Sequence, residues 1–177
     1  MAIDRTAASG AANEDLALQI ALAFYVGANQ VGEADGKMDR MEVEASYTVL
    51  IALTKDSKSE LLRRAADIVA SGVIRPLVSS TEFAADDKVL EEVGKKIKLA
   101  SLSDQYRFLI AFVTLCRAVS KASGGGFLKG GPVSEVEKDV TANMLGALAG
   151  SEIGQPLSAE YMLFAKAAEK FCSEQGL

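Results

Sequence analysis

Five carboxylates gather between Glu33 and Glu44: Glu33, Asp35, Asp39, Glu42 and Glu44 surround the turn Ala34-Asp35-Gly36-Lys37. Oxygen donors of this kind, helped by turn carbonyls, suit the hard cations Ca²⁺ and Mg²⁺. Ca²⁺ takes about six to eight oxygens, and the segment lacks the D-x-D-x-D-G loop and closing glutamate of an EF-hand. Modest affinity is therefore expected unless another segment contributes. The same residues also have a local use. Asp39-Arg40-Met41-Glu42 has the D-x-x-E spacing of a capping box, in which the aspartate caps a helix start and the glutamate reaches back to the cap's N–H. Gly36 permits a left-handed turn. Only Asp35 is left without such a local role, so capping and cation binding both stand as uses of this corner.

Other chemistries are narrowed by composition. The chain has no histidine, which removes Ser-His-Asp and Cys-His catalysis, the H-E-x-x-H zinc site and histidine proton shuttles. Cys116 and Cys172 are the only cysteines, each within an apolar helical pattern, so neither a disulfide framework nor a four-cysteine zinc site is expected. They read as small buried side chains of a reduced, cytoplasmic protein. The Gly124 to Gly131 stretch lacks G-x-x-x-x-G-K-[ST] and follows no strand, so it reads as a linker rather than a phosphate loop. Net charge is -5 with scattered Lys and Arg, which speaks against nucleic acid. The apolar run from Leu16 to Ala28 follows Glu14 and Asp15 and is too short to span a bilayer, so neither a signal peptide nor stable membrane insertion is expected. No catalytic residue or cofactor is assigned beyond a divalent cation, and the expected role is binding, with a partner protein and room for a homo-oligomer.

The elements that must position the acidic corner are helices. Apolar residues make up 49% of the 177 residues, with abundant Ala and Leu, only three Pro and no Trp, which points to an all-α chain. Residues 1–13 are expected to be a loose lead-in. Leu16, Ile20, Phe24, Ala28 and Val31 then recur at helical spacing over about 14–33. The capping box opens a second helix carrying Val43, Tyr47, Leu50 and Ile51 to about 54. Asp56 is expected to cap a third through Leu61, Leu62, Ala65, Ile68 and Val69, closed by Gly72 as a C′ glycine. Val89, Leu90, Val93 and Ile97 predict a helix over about 86–99, and Ser101 or Ser103 caps the next. Arg63 and Arg64 are expected as solvated charge, able to pair with the acidic corner or an anion.

From there the pattern starts again. Leu22-Ala23-Phe24 aligns with Ile110-Ala111-Phe112, Val31 with Val119, Ala34 with Ala122 and Gly36 with Gly124, all at one offset. After the glycine-rich insertion, Ser134-Glu135-Val136-Glu137 falls opposite the first capping box. Leu50, Ala52 and Leu53 meet Leu145, Ala147 and Leu148, and Asp56, Leu61 and Ala65-Ala66-Asp67 meet Ser158, Leu163 and Ala167-Ala168-Glu169. One domain over 1–177 is expected, with repeats over roughly 14–72 and 103–176. Each unit has three helices, and a connecting helix makes about seven. The two should share one core with pseudo-twofold symmetry.

The string Gly32 to Glu42, with A-D-G, an apolar Met38, the capping Asp39 and a glutamate seven residues after Asp35, resembles the hallmark of the TerB-like family. That resemblance implies a seven-helix bundle of two related halves serving in tellurite resistance and stress response. It implies no enzymatic activity. The family's acidic pair, proposed to bind divalent metal, falls on Asp35 and Glu42. In the second half Ser123 replaces the aspartate and only Glu137 persists, so function is expected to concentrate in the first half. The candidate cation ligands are thus Asp35, Asp39, Glu42 and Glu137. The alternative is a metal-independent helical interaction module, in which the corner only caps helices.

Overall fold

The computed structural model describes residues 5–34, 36, 38–56, 58–72, 87–123 and 135–149. All regular structure among them is α-helix: α1 (Arg5–Gly32), α2 (Arg40–Asp56), α3 (Glu60–Ala70), α4 (Asp87–Ile97), α5 (Leu102–Ser123) and α6 (Glu135–Ala149). The expected helix of residues 158–176, the cap at Ser134 and the 124–131 loop lie outside the described residues. So do Asp35 and the side chain of Glu137.

α1 and α5 form the centre. On α1 the buried residues run Ile20 to Phe24, then Val26, Ala28 and Val31, too wide a band for one face, as befits a helix covered on several sides. α2 and α3 pack together, α3 lies on α1, α2 on α5, and α4 and α6 form a pair beside α1. Phe108 joins the central helices, its ring centroid 5.9 Å from Phe24 and 6.0 Å from Phe112, both tilted.

α1 starts well before Asn13. Ala7, Ala8, Ala11 and Ala12 have the strongest helix propensity of any residue, so the segment expected as a loose lead-in carries the helix back to Arg5. The third helix is capped by Ser59, not Asp56. Ser59 has the extended backbone a cap needs (φ -100, ψ 119) and its Oγ accepts the Leu62 N–H at 3.2 Å, whereas Asp56 is still the last residue of α2. Gly72 closes α3 as expected, at φ 74, behind Ser71. Ser101, of the two serines considered, caps α5, accepting the Asp104 N–H at 3.1 Å. Ile51 does not join the buried face of α2. It is exposed, and Ala45, Ser46, Val49 and Leu50 are buried instead, because α2 faces α5 on one side and α3 on the other.

Candidate functional site: the acidic helix corner

The corner between α1 and α2 is built by backbone first. After Gly32 the Glu33 N–H still reaches the Asn29 carbonyl at 2.9 Å, and the Ala34 and Gly36 N–H groups close tight turns onto Val31 and Glu33, each at 3.2 Å. Gly36 has φ 150, a value only glycine adopts without strain, and this lets the chain leave the turn towards α2. Met38 packs against Gly32, where a β-carbon would meet its Cγ. Met38 and Val43, both half-buried, stand at the N′ and N4 positions of a hydrophobic staple.

Asp39 and Glu42 form the reciprocal box. Asp39 Oδ1 accepts the Met41 N–H at 2.7 Å and the Glu42 N–H at 3.0 Å, while Glu42 Oε2 accepts the Asp39 N–H at 2.6 Å. The Asp39 carbonyl takes the Val43 N–H at 3.2 Å as the first helical bond. Both carboxylates therefore serve orphan N–H groups at a positive helix end. They differ sharply in environment. Asp39 is exposed, and Glu42 is 1% exposed, the only acidic or basic side chain among the buried residues described.

The other described acids of the corner do not form a group with this pair. Glu33 and Glu44 are exposed, and Glu44 is held by Arg40 at 2.8 Å along the solvent side of α2. Arg64 does not turn to the acidic corner. It bridges α3 to α1 through Glu14 (2.6 Å) and also meets Asp67 (3.3 Å), and the guanidinium bond holds the Glu14 carboxyl below its usual range. Among the described residues no three His, Cys, Asp or Glu side chains are grouped to hold a metal ion. Among the described residues the donor set for a cation there is two capping carboxylates, short of the six to eight oxygens that Ca²⁺ takes, so any ion at this corner needs Asp35 or turn carbonyls as well.

A second polar cluster escaped the sequence. Asp104, in the first turn of α5, accepts the Ser59 hydroxyl on Oδ1 and the Ser101 hydroxyl on Oδ2, both at 2.6 Å. One carboxylate thus ties together the starts of α3 and α5. The S-x-x-D spacing of Ser101 and Asp104 marks a cap in the sequence, but nothing local connects it with Ser59. Cys116 is fully buried, and burial pushes its thiol up to about 12, which leaves it without nucleophilic character at neutral pH.

No protein-family model, curated protein or solved structure matches the chain. Among the described residues no helix is long and apolar enough to cross a membrane.

Proposed function

We propose that this chain is a non-enzymatic, cytoplasmic TerB-like domain of the tellurite-resistance and stress-response type. It acts by binding, senses a divalent cation at the first-half corner through Asp35 and Glu42, and passes that state to a partner protein. The observation that carries this reading is the burial of Glu42. A capping glutamate does its work on the surface for about 1 kcal/mol, whereas desolvating a carboxylate costs several kcal/mol. A cation drawn to the corner would offset that cost.

The proposed duplication rests on burial as well as on sequence. At the offset that aligns the central helices, Ile20 and Phe108, Phe24 and Phe112, and Val31 and Val119 are all fully buried, and at the longer offset that follows the glycine-rich insertion Val49 and Met144 are buried on α2 and α6. The proposal extends the bundle to seven helices, with residues 158–176 as the last.

Cation binding to the folded state alone adds about 2.7 kcal/mol at a hundredfold excess over Kd. For a chain of this size that raises Tm by roughly 5–10 °C. The melting temperatures of the natural chain and of Asp35→Asn/Glu42→Gln are to be measured with Ca²⁺, Mg²⁺, Mn²⁺ and Zn²⁺. The same response in both proteins refutes the cation site.

A metal-independent interaction module is favoured by one observation of its own: an oxygen of each capping carboxylate is already engaged on α2's own N–H groups. Sedimentation then shows complexes or homo-oligomers that form without metal and survive both substitutions.

A further inference from the structure

Two cavities flank the Glu14–Arg64 ion pair, and they differ in polarity. The larger, about 1290 Å³, opens where α1, the start of α3 and the turn between α4 and α5 meet. The smaller, about 470 Å³, lies between α1 and α3 against Leu18, Ile68 and Ser71. Glu14, Asp15, Arg64 and Asp67 line both, so the linked ion pairs of Arg64 with Glu14 and Asp67 partition one groove rather than bound two. On α3 the lining positions Glu60, Arg64, Asp67, Ile68 and Ser71 recur at helical spacing. The groove therefore follows that helix from end to end, about 17 Å at 1.5 Å per residue. Its partition is a surface feature, with the Arg64 side chain 50% exposed, and an ion pair of that kind is weak enough to yield to a ligand.

The two ends present different chemistry. The wall of the smaller cavity is mostly apolar, because its charged residues contribute their methylene stems while their heads are held in ion pairs. The larger has polar and apolar wall in similar measure. Most of its charge is already engaged: Arg64 by Glu14 and Asp67, Lys96 by Asp15 at 3.1 Å, and Asp104 by the hydroxyls of Ser59 and Ser101. Among the described residues Lys58 and Arg63 are the lining cations without an ion pair, and Glu60 is the lining acid whose carboxylate has no partner. Two such cations against one acid leave a surplus of one positive charge. That surplus matches a singly charged carboxylate better than a dianionic phosphate.

We propose that the groove along α1 and α3 binds a long-chain carboxylate, its head held by Lys58 and Arg63 and its apolar chain laid past Arg64 against Leu18 and Ile68. An elongated site that is charged at one end and apolar at the other fits an amphipathic chain and not a compact polar metabolite. The site is separate from the acidic corner and needs neither a cation nor the duplication, so the melting experiments with metal judge a different matter.

The test uses the full chain and dansylaminoundecanoic acid, a fluorescent long-chain carboxylate. The expected result is a saturable one-to-one rise in probe emission, with the largest backbone amide NMR shifts at residues 13–18 and 58–71. Lys58→Glu/Arg63→Glu is expected to weaken binding at least about tenfold, the loss of charge-assisted hydrogen bonds to the head. The methyl ester of the probe is expected to bind the natural chain weakly and to ignore that substitution. If the variant unfolds, the natural chain decides: an ester that binds as tightly as the acid overturns the anion site. Dansylglycine, which has the same fluorophore and carboxylate without the long chain, is expected to bind far more weakly, and equal binding overturns the apolar end. Laurate is expected to displace the probe better than dodecyl phosphate does, and the reverse order overturns the carboxylate head. No saturable binding, largest shifts outside those two segments, or full affinity in the folded variant overturns the site.

Discussion

Gly94 gives the sharpest quantitative test of the packing. It lies inside α4, facing α6, and a β-carbon built there falls on the Leu148 carbonyl oxygen and within 2.8 Å of the carbonyl carbon. The obstacle is helix backbone, which has no rotamer to move to, so Gly94→Ala must push α4 and α6 apart. A gap of about 0.5–1 Å forfeits a quarter to a half of each affected dispersion contact. Leu90, Val93 and Ile97 of α4 and Met144 and Leu148 of α6 are the buried side chains on these two helices. Overpacking of this kind costs about 1–3 kcal/mol, and a backbone obstacle puts it at the upper end. Alanine's better helix propensity returns about 1 kcal/mol, leaving a net loss of about 2 kcal/mol. At roughly 2–4 °C per kcal/mol, Tm should fall by about 4–8 °C. Gly146→Ala is the matched control, since a β-carbon there meets nothing within 4 Å. It should gain about 0.5–1 kcal/mol from propensity alone. The two variants are compared by urea and thermal unfolding. If Gly94→Ala is neutral, or stabilises as Gly146→Ala does, the close approach of α4 and α6 is wrong.

Asp39→Ala should lower stability by about 0.5–2 kcal/mol through loss of the cap, with amide exchange accelerated first at Met41 and Glu42. In a double-mutant cycle, Ser59→Ala and Asp104→Ala should couple by at least about 0.5 kcal/mol, because Asp104 joins the starts of α3 and α5; strict additivity in denaturant unfolding would contradict the shared bond. Cys116 in a Cys172→Ser chain should react with a thiol reagent only as fast as the protein unfolds. Its folded-state value, about 12, lies above the ordinary thiol value. The unfolded chain therefore loses that proton first, and the contribution of Cys116 to stability should decline as pH rises above about 9, the reverse of a depressed carboxylate. A Cys116→Ala chain should show a flatter stability profile there.

Much of the local structure is already written in the sequence. The capping box at Asp39 and Glu42 and the glycine that closes α3 are decided by hydrogen bonds over two to four residues, so spacing alone identifies them, whereas spacing left Ser101 and Ser103 both open as the cap of α5. The apolar period over Ile20, Phe24 and Val31 equally requires one buried helix face. Where two short-range rules competed, sequence was less able to choose: Asp56 and Ser59 are both good caps, and the end of α2 decides between them.

What only the tertiary structure decides involves partners distant in sequence. Glu42 satisfies a capping rule whether it is solvated or buried; its burial depends on how the rest of the fold closes over the corner. Asp104 reaches Ser59 across 45 positions, and Arg64 reaches Glu14 across 50 rather than joining the acidic turn. Ile51 fits the helical period yet stays in solvent, because a period fixes the spacing of a face and not the direction from which its neighbours come. The sequence by itself determined the helices and the chemistry at their ends. The folded structure decided which of those ends meet and which carboxylate is taken out of water, since both follow from long-range packing that no local spacing encodes.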